Sequence, residues 1–140
     1  MSAAALFAVN GRFLTQNATG VQRYASNVVH ALDRALAAAD ARAAIIAPSG
    51  TPDPGFSHMP LIQSGTLSGH PWEQITLPTQ WPDRLLNLCN TAPATKADQI
   101  VCIHDANVFT TPDSYSRAFR AVYQTLQPLL VRRSARIATS

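Results

Sequence analysis

Two short stretches of this chain carry side chains suited to binding or transforming a ligand: Asn10 to Tyr24 near its beginning, and His104-Asp105 after an apolar run. In the first, Asn10-Gly11, a polar loop and then Thr19-Gly20-Val21-Gln22-Arg23-Tyr24 read as strand, loop and helix. A helix opening above the carboxyl end of a buried strand aims unpaired backbone N–H groups at the crevice and favours an anionic guest. Gly20 either lets a ligand approach the backbone closely or permits a tight helix start, and Thr19 is placed to cap that helix. Arg12 and Arg23 flank the loop. A guanidinium matches phosphate oxygens in a two-pronged fork, a solvated arginine being the plainer role. His104 closes a buried strand, where a hydrogen bond to a neighbouring loop is its simplest use. Asp105 orients that imidazole or caps the following loop.

The elements that must position these residues alternate. Leu6 to Val9 is a short apolar strand, and Val21, Ala25, Val28, Val29, Leu32 and Leu36 recur at the spacing of a helix from Gly20 to about Ala38. Ala43 to Ala47, closed by Pro48-Ser49-Gly50, predicts a second strand. Residues 51–60, rich in proline, predict a surface loop, and Leu61-Ile62 a brief strand. Trp72 to Leu77 predicts one or two helical turns stopped by Pro78, with Trp72 and Glu73 fixing the turn or lining the site rather than performing chemistry. Leu85 to Cys89 and Gln99 to Ile103 follow as strands around a polar loop, Asn90 to Asp98. Thr111 then caps a helix with Pro112 at its first position; Tyr115, Phe119, Val122, Leu126 and Leu129 share one face, interrupted near Pro128. Arg136 to Ser140 opens another strand. Apolar strands alternating with helices imply a Rossmann-like, doubly wound parallel α/β sheet, in which ligands gather outside the carboxyl ends of the strands. Both polar stretches emerge at that rim.

Composition narrows the reading. With 140 residues, 46% hydrophobic and 14% charged, the chain fits one domain with a real core and is too apolar for disorder. A net charge of +3 comes almost wholly from arginines, scattered until Arg132, Arg133 and Arg136. That is a weak basic bias without the stripe of basic and aromatic residues a nucleic-acid surface needs, so no nucleic-acid partner is expected. Cys89 and Cys102 lie in apolar runs without ligand spacing and read as reduced core residues. His30, His58 and His70 show no metal-ligand spacing, so no metal is expected. No window reaches the roughly 18 apolar residues of a membrane span, and the beginning lacks a signal pattern, so a cytoplasmic protein is expected. Neither GxSxG nor GxGxxG occurs, which disfavours covalent hydrolysis and dinucleotide binding.

With the elements in this order, the chain resembles the amino-terminal half of a family 4 glycosyltransferase, the GT-B kind built from two Rossmann-like domains facing across a cleft. The resemblance covers most of the chain. It rests on Thr19-Gly20-Val21-Gln22-Arg23-Tyr24, on Trp72-Glu73-Gln74 with Leu77-Pro78, on Ile103-His104-Asp105, and on Phe119 to Ser140 with its final Arg136-Ile137-Ala138-Thr139-Ser140. The family's first loop commonly runs Gly-Gly before the helix, where this chain has Thr19-Gly20.

The resemblance implies an acceptor-binding domain over residues 1–140, incomplete at its end, with the nucleotide-sugar site in a second, donor-binding domain that has no counterpart here. It implies that the first loop, through Thr19, Gly20, Arg12 and Arg23, cradles acceptor or diphosphate. His104 would line the transferred sugar as positive charge develops at its anomeric carbon, with Asp105 beside it. The whole enzyme would move a sugar, mannose being one candidate, from a nucleotide-sugar to a glycan or lipid-linked acceptor, with retention and without a metal or other cofactor. Alone, the chain is expected to be inactive, because groups preorganised against the leaving diphosphate are missing. It is also expected to self-associate through an exposed sheet edge. A lipid-linked acceptor would bring peripheral contact with the inner face of the membrane. The alternative is a non-catalytic α/β module that binds a sugar, a nucleotide or a partner protein through the same rim.

Overall fold

The computed structural model describes residues 5, 7–17, 20–103 and the backbone of 136–139. Its strands are β1 (Ala8–Asn10), β2 (Ala44–Ala47), β3 (Leu61–Gln63), β4 (Leu85–Asn87), β5 (Gln99–Ile103) and β6 (Arg136–Thr139). They form one sheet in the order β3-β2-β1-β4-β5-β6, and every neighbouring pair is parallel. The fold is therefore α/β and Rossmann-like, as the alternation of apolar strands with helices predicts.

Alternation along the strands sends side chains to opposite faces, and each face has its own cover. Val9 and Ile45 join Ala25, Val29 and Leu36 of helix α1 (Gly20–Ala38), together with Met59 and Leu88. The intervening Ala8, Ala44 and Ile46 meet Trp72 and Leu77 on the other side. Those two residues belong to a helical run made of α2 (Gly69–Pro71), a wider π turn (Trp72–Thr76) and α3 (Leu77–Gln80). Burying one such large apolar side chain stabilises the fold by about 1.5–3 kcal/mol. The central strands can thus be apolar up to their last residues, Asn10 in β1 and Asn87 in β4, because neither face meets water.

Pro78 does not stop this run, contrary to the sequence expectation. The Leu77 backbone N–H reaches back to the Trp72 carbonyl, one residue further than in an α-helix. Proline normally breaks a helix because it lacks an N–H and crowds the carbonyl four residues back. The π turn widens the helix just ahead of Pro78, and Pro78 then sits at the start of α3, where a missing donor costs little.

Two strand boundaries also shift. β1 extends to Asn10, while β4 ends at Asn87 rather than Cys89. The chain turns after β4 through Asn90, which adopts a left-handed φ of 71° and donates its N–H to the Cys102 carbonyl at 3.0 Å. The expected surface loop over 51–60 contains no regular element. The expected helix after Thr111 and its apolar face lie outside the described residues.

Candidate functional site

In this strand order, β1 and β4 are the neighbours at which the connections change direction, β2 and β3 lying to one side and β5 and β6 to the other. Ligands of open parallel sheets bind in the crevice outside the carboxyl ends of such a pair. The last residues of these two strands are Asn10 and Asn87. Both are polar and buried, 5% and 0% exposed respectively, which is unfavourable unless every polar atom finds a partner.

The partners form a head-to-tail line of amides. The Arg12 backbone N–H donates to Asn10 Oδ1 at 3.1 Å. Asn10 Nδ2 donates to Asn87 Oδ1 at 2.9 Å and to Glu73 Oε2 at 2.9 Å, using both of its hydrogens. Asn87 Nδ2 donates to Gln99 Oε1 at 3.0 Å and to the Ile100 carbonyl at 3.1 Å. Gln99 Nε2 then donates to the carbonyls of Pro93 and Lys96 at 2.9 and 2.7 Å. Such a chain polarises itself, each amide strengthening the next.

Glu73 is brought to this line by the π turn, and its neighbours show how the turn is used. Trp72 is buried and donates from Nε1 to the Ser64 carbonyl at 2.9 Å, just after β3. Gln74 clamps the β4-β5 loop, donating to the Ala92 carbonyl at 2.7 Å and accepting from the Ala94 N–H at 2.8 Å. Between them, Glu73 points inward, its side chain 2% exposed. Burial opposes its charge, but His70, Arg12, Asn10 and Thr91 outweigh that cost and hold the carboxyl below the ordinary value of 4.5. It is therefore an ionised acceptor at neutral pH.

Arg12 supplies the balancing charge. It follows Gly11, whose own position is tightly enclosed: a Cβ there would stand 2.7 Å from Ile45 Cγ2 and 2.8 Å from the Ile46 carbonyl oxygen. This close approach to β2 starts the 3₁₀ turn Gly11–Thr15. Arg12 NH1 lies 3.9 Å from Glu73 Oε2 and 3.4 Å from Thr91 Oγ1. The Thr91 hydroxyl in turn donates to Glu73 Oε2 at 3.2 Å. On the other side, Arg12 NH2 stands 3.4 Å from His70 Nε2, and His70 Nδ1 lies 3.8 Å from Glu73 Oε1. Because a guanidinium only donates, the imidazole accepts at Nε2 and turns Nδ1–H toward Glu73.

Of the residues singled out in the sequence, Arg12 is in this cluster. Arg23 is exposed on α1. Gly20 opens α1, and a Cβ there would meet nothing within 4 Å. Thr19, His104 and Asp105 lie outside the described residues. Sequence reasoning did not single out Asn10, Asn87, Thr91 and His70 as site residues, and it assigned Glu73 a supporting role. Cys89 and Cys102 are both free. Burial pushes the Cys89 thiol up to about 12, the Glu73 carboxylate adding to the rise and Arg12 opposing it. Cys89 is thus no nucleophile at neutral pH. Among the described residues, no group of three or more His, Cys, Asp or Glu side chains is placed to hold a metal, and no helix is long and apolar enough to cross a membrane.

No protein-family model, curated protein or solved structure matches the chain. What the cluster can do chemically is bind and orient. It offers a balanced pair of charges and fixed hydrogen-bonding groups at the sheet's switch point.

Proposed function

We propose that the chain is the acceptor-side portion of a GT-B glycosyltransferase, which moves a sugar from a nucleotide-sugar to a glycan or lipid-linked acceptor. Donor binding would fall to a second domain outside these 140 residues. The observation that carries this reading is the buried cluster of Asn10, Arg12, Glu73 and Thr91 at the carboxyl ends of β1 and β4. It supplies a polar rim to a parallel sheet, and the motifs Thr19 to Tyr24 and Trp72-Glu73-Gln74 resemble that family. On this reading the protein works in the cytoplasm, at the inner membrane face where its acceptor is lipid-linked, and needs no metal.

Ligand-observed NMR tests it, with nucleotide-sugars and phosphorylated glycans offered to the chain and to Gly20→Val, His104→Ala and Arg12→Gln variants. Acceptor binding that is weakened in folded variants is the expected result. A folded chain that ignores every glycan would sink the proposal.

A second reading, a non-catalytic module that binds a sugar, nucleotide or partner protein, is favoured by one observation. Glu73 is held ionised by four partners, an arrangement for fixing a charge rather than passing a proton. Transfer of sugar by any longer protein containing this domain decides for the enzyme.

A further inference from the structure

A narrow cavity of about 10 Å³ opens beside the cluster, lined by Asn10, Arg12, Glu73 and Thr91 with apolar walls from Phe13 and Leu88. That is the space of a single water or hydroxyl group. Two polar atoms of its lining residues are buried and lack a hydrogen-bond partner among the described residues: Arg12 Nε, a donor, and Glu73 Oε1, an acceptor whose contact with His70 Nδ1 at 3.8 Å is electrostatic and too long for a hydrogen bond. Each unmade bond of this kind carries a desolvation penalty that a suitable guest would remove.

The chemistry of the lining selects among guests. A phosphate or carboxylate would meet Arg12, but it would also meet a buried carboxylate that already neutralises that arginine. Like charges so close in a poorly solvated place repel strongly. An ammonium would meet the converse conflict with Arg12. A neutral hydroxyl both donates and accepts, which is the pair of functions the two atoms leave open. We propose that this cavity is a subsite for one hydroxyl group of a polyhydroxylated ligand, which donates to Glu73 Oε1 and accepts from Arg12 Nε–H, displacing water. The inference rests on the reading that the crevice holds a sugar-bearing ligand, and it makes Glu73 and Arg12 the residues that choose which hydroxyl pattern fits.

The test uses the 140-residue chain and methyl glycosides of mannose, glucose and galactose, each with its set of monodeoxy analogues, titrated by saturation-transfer NMR. For the glycoside that binds best, one deoxy position should weaken binding by about tenfold or more, because a charge-assisted hydrogen bond is lost there and a charged group is left unpaired. In Glu73→Gln that penalty should shrink to about threefold or less, since the amide is a weaker acceptor. Arg12→Lys keeps the charge but lacks Nε and should shrink the same penalty at the same position. Either variant suffices if the other fails to fold, as judged by its amide spectrum. Glycosides that bind with every deoxy analogue equal to its parent would overturn the subsite while leaving sugar binding intact. So would discrimination that survives in both variants. If no glycoside binds at all, the subsite and the sugar-bearing reading fall together. Glu73-dependent deoxy discrimination without acceptor transfer by any longer protein would keep the subsite and remove the enzyme.

Discussion

At the scale of the residue, Glu73 is the most consequential side chain of the described protein. It is buried, ionised, and tied to residues from three separate parts of the chain: Asn10 and Arg12, His70, and Thr91. Replacing one member of a buried charge pair leaves the other uncompensated. Glu73→Gln should therefore lower stability by about 1–3 kcal/mol, measured by urea unfolding at neutral pH. The pH dependence has a definite sign. A carboxyl held below its unfolded value of 4.5 contributes stability above that value and loses it as pH falls through the folded one. The wild-type chain should accordingly lose stability more steeply below pH 4.5 than Glu73→Gln does. Parallel pH profiles for the two proteins would show that the carboxylate is not held in this way.

At the scale of the element, two glycines that look alike in the sequence behave differently. Gly11 has Ile45 Cγ2 and the Ile46 carbonyl oxygen within 2.8 Å of where a Cβ would stand, whereas Gly20 has nothing within 4 Å. Gly11→Ala should cost about 1–3 kcal/mol through overpacking. Gly20→Ala should be neutral or stabilising by up to about 1 kcal/mol, since it removes chain entropy from a helix position with room. Thermal melts of both variants check this, and a damaging Gly20→Ala would mean that its position is packed after all. The same contrast shows what was legible in the sequence. α1, β2, β3 and β5 follow from hydrophobic period and run length, which depend on neighbours a few positions apart. The helical run through Pro78 did not, because the π turn that accommodates it has no period of its own. The cluster was hidden for a further reason: Asn10, Glu73, Asn87 and Gln99 sit in unrelated segments, and a polar residue at a strand end reads as the start of a loop until its partner is known.

At the scale of the whole molecule, the sheet has β3 as an outer strand that, among the described residues, pairs only with β2. Ile62 on β3 is 40% exposed. An uncharged outer strand offers unpaired N–H and C=O groups to another copy. Ile62→Lys should shift any self-association toward monomer in sedimentation experiments, and an unchanged distribution would place the contact elsewhere.

The two sides of the sheet meet where β1 pairs with β4, a short ladder of Ala8 with Leu85 and Val9 with Leu86. The amide line crosses that seam, through Asn10 and Asn87, 77 positions apart. Contacts so distant along the chain bear the greatest loop-closure entropy and lag behind local ones. The rim that would recognise a ligand should therefore be among the last parts of the fold to assemble, an order that pulsed hydrogen exchange during refolding would check. A ligand captured there would act as a latch, adding its binding free energy to a seam whose own strand pairing is brief.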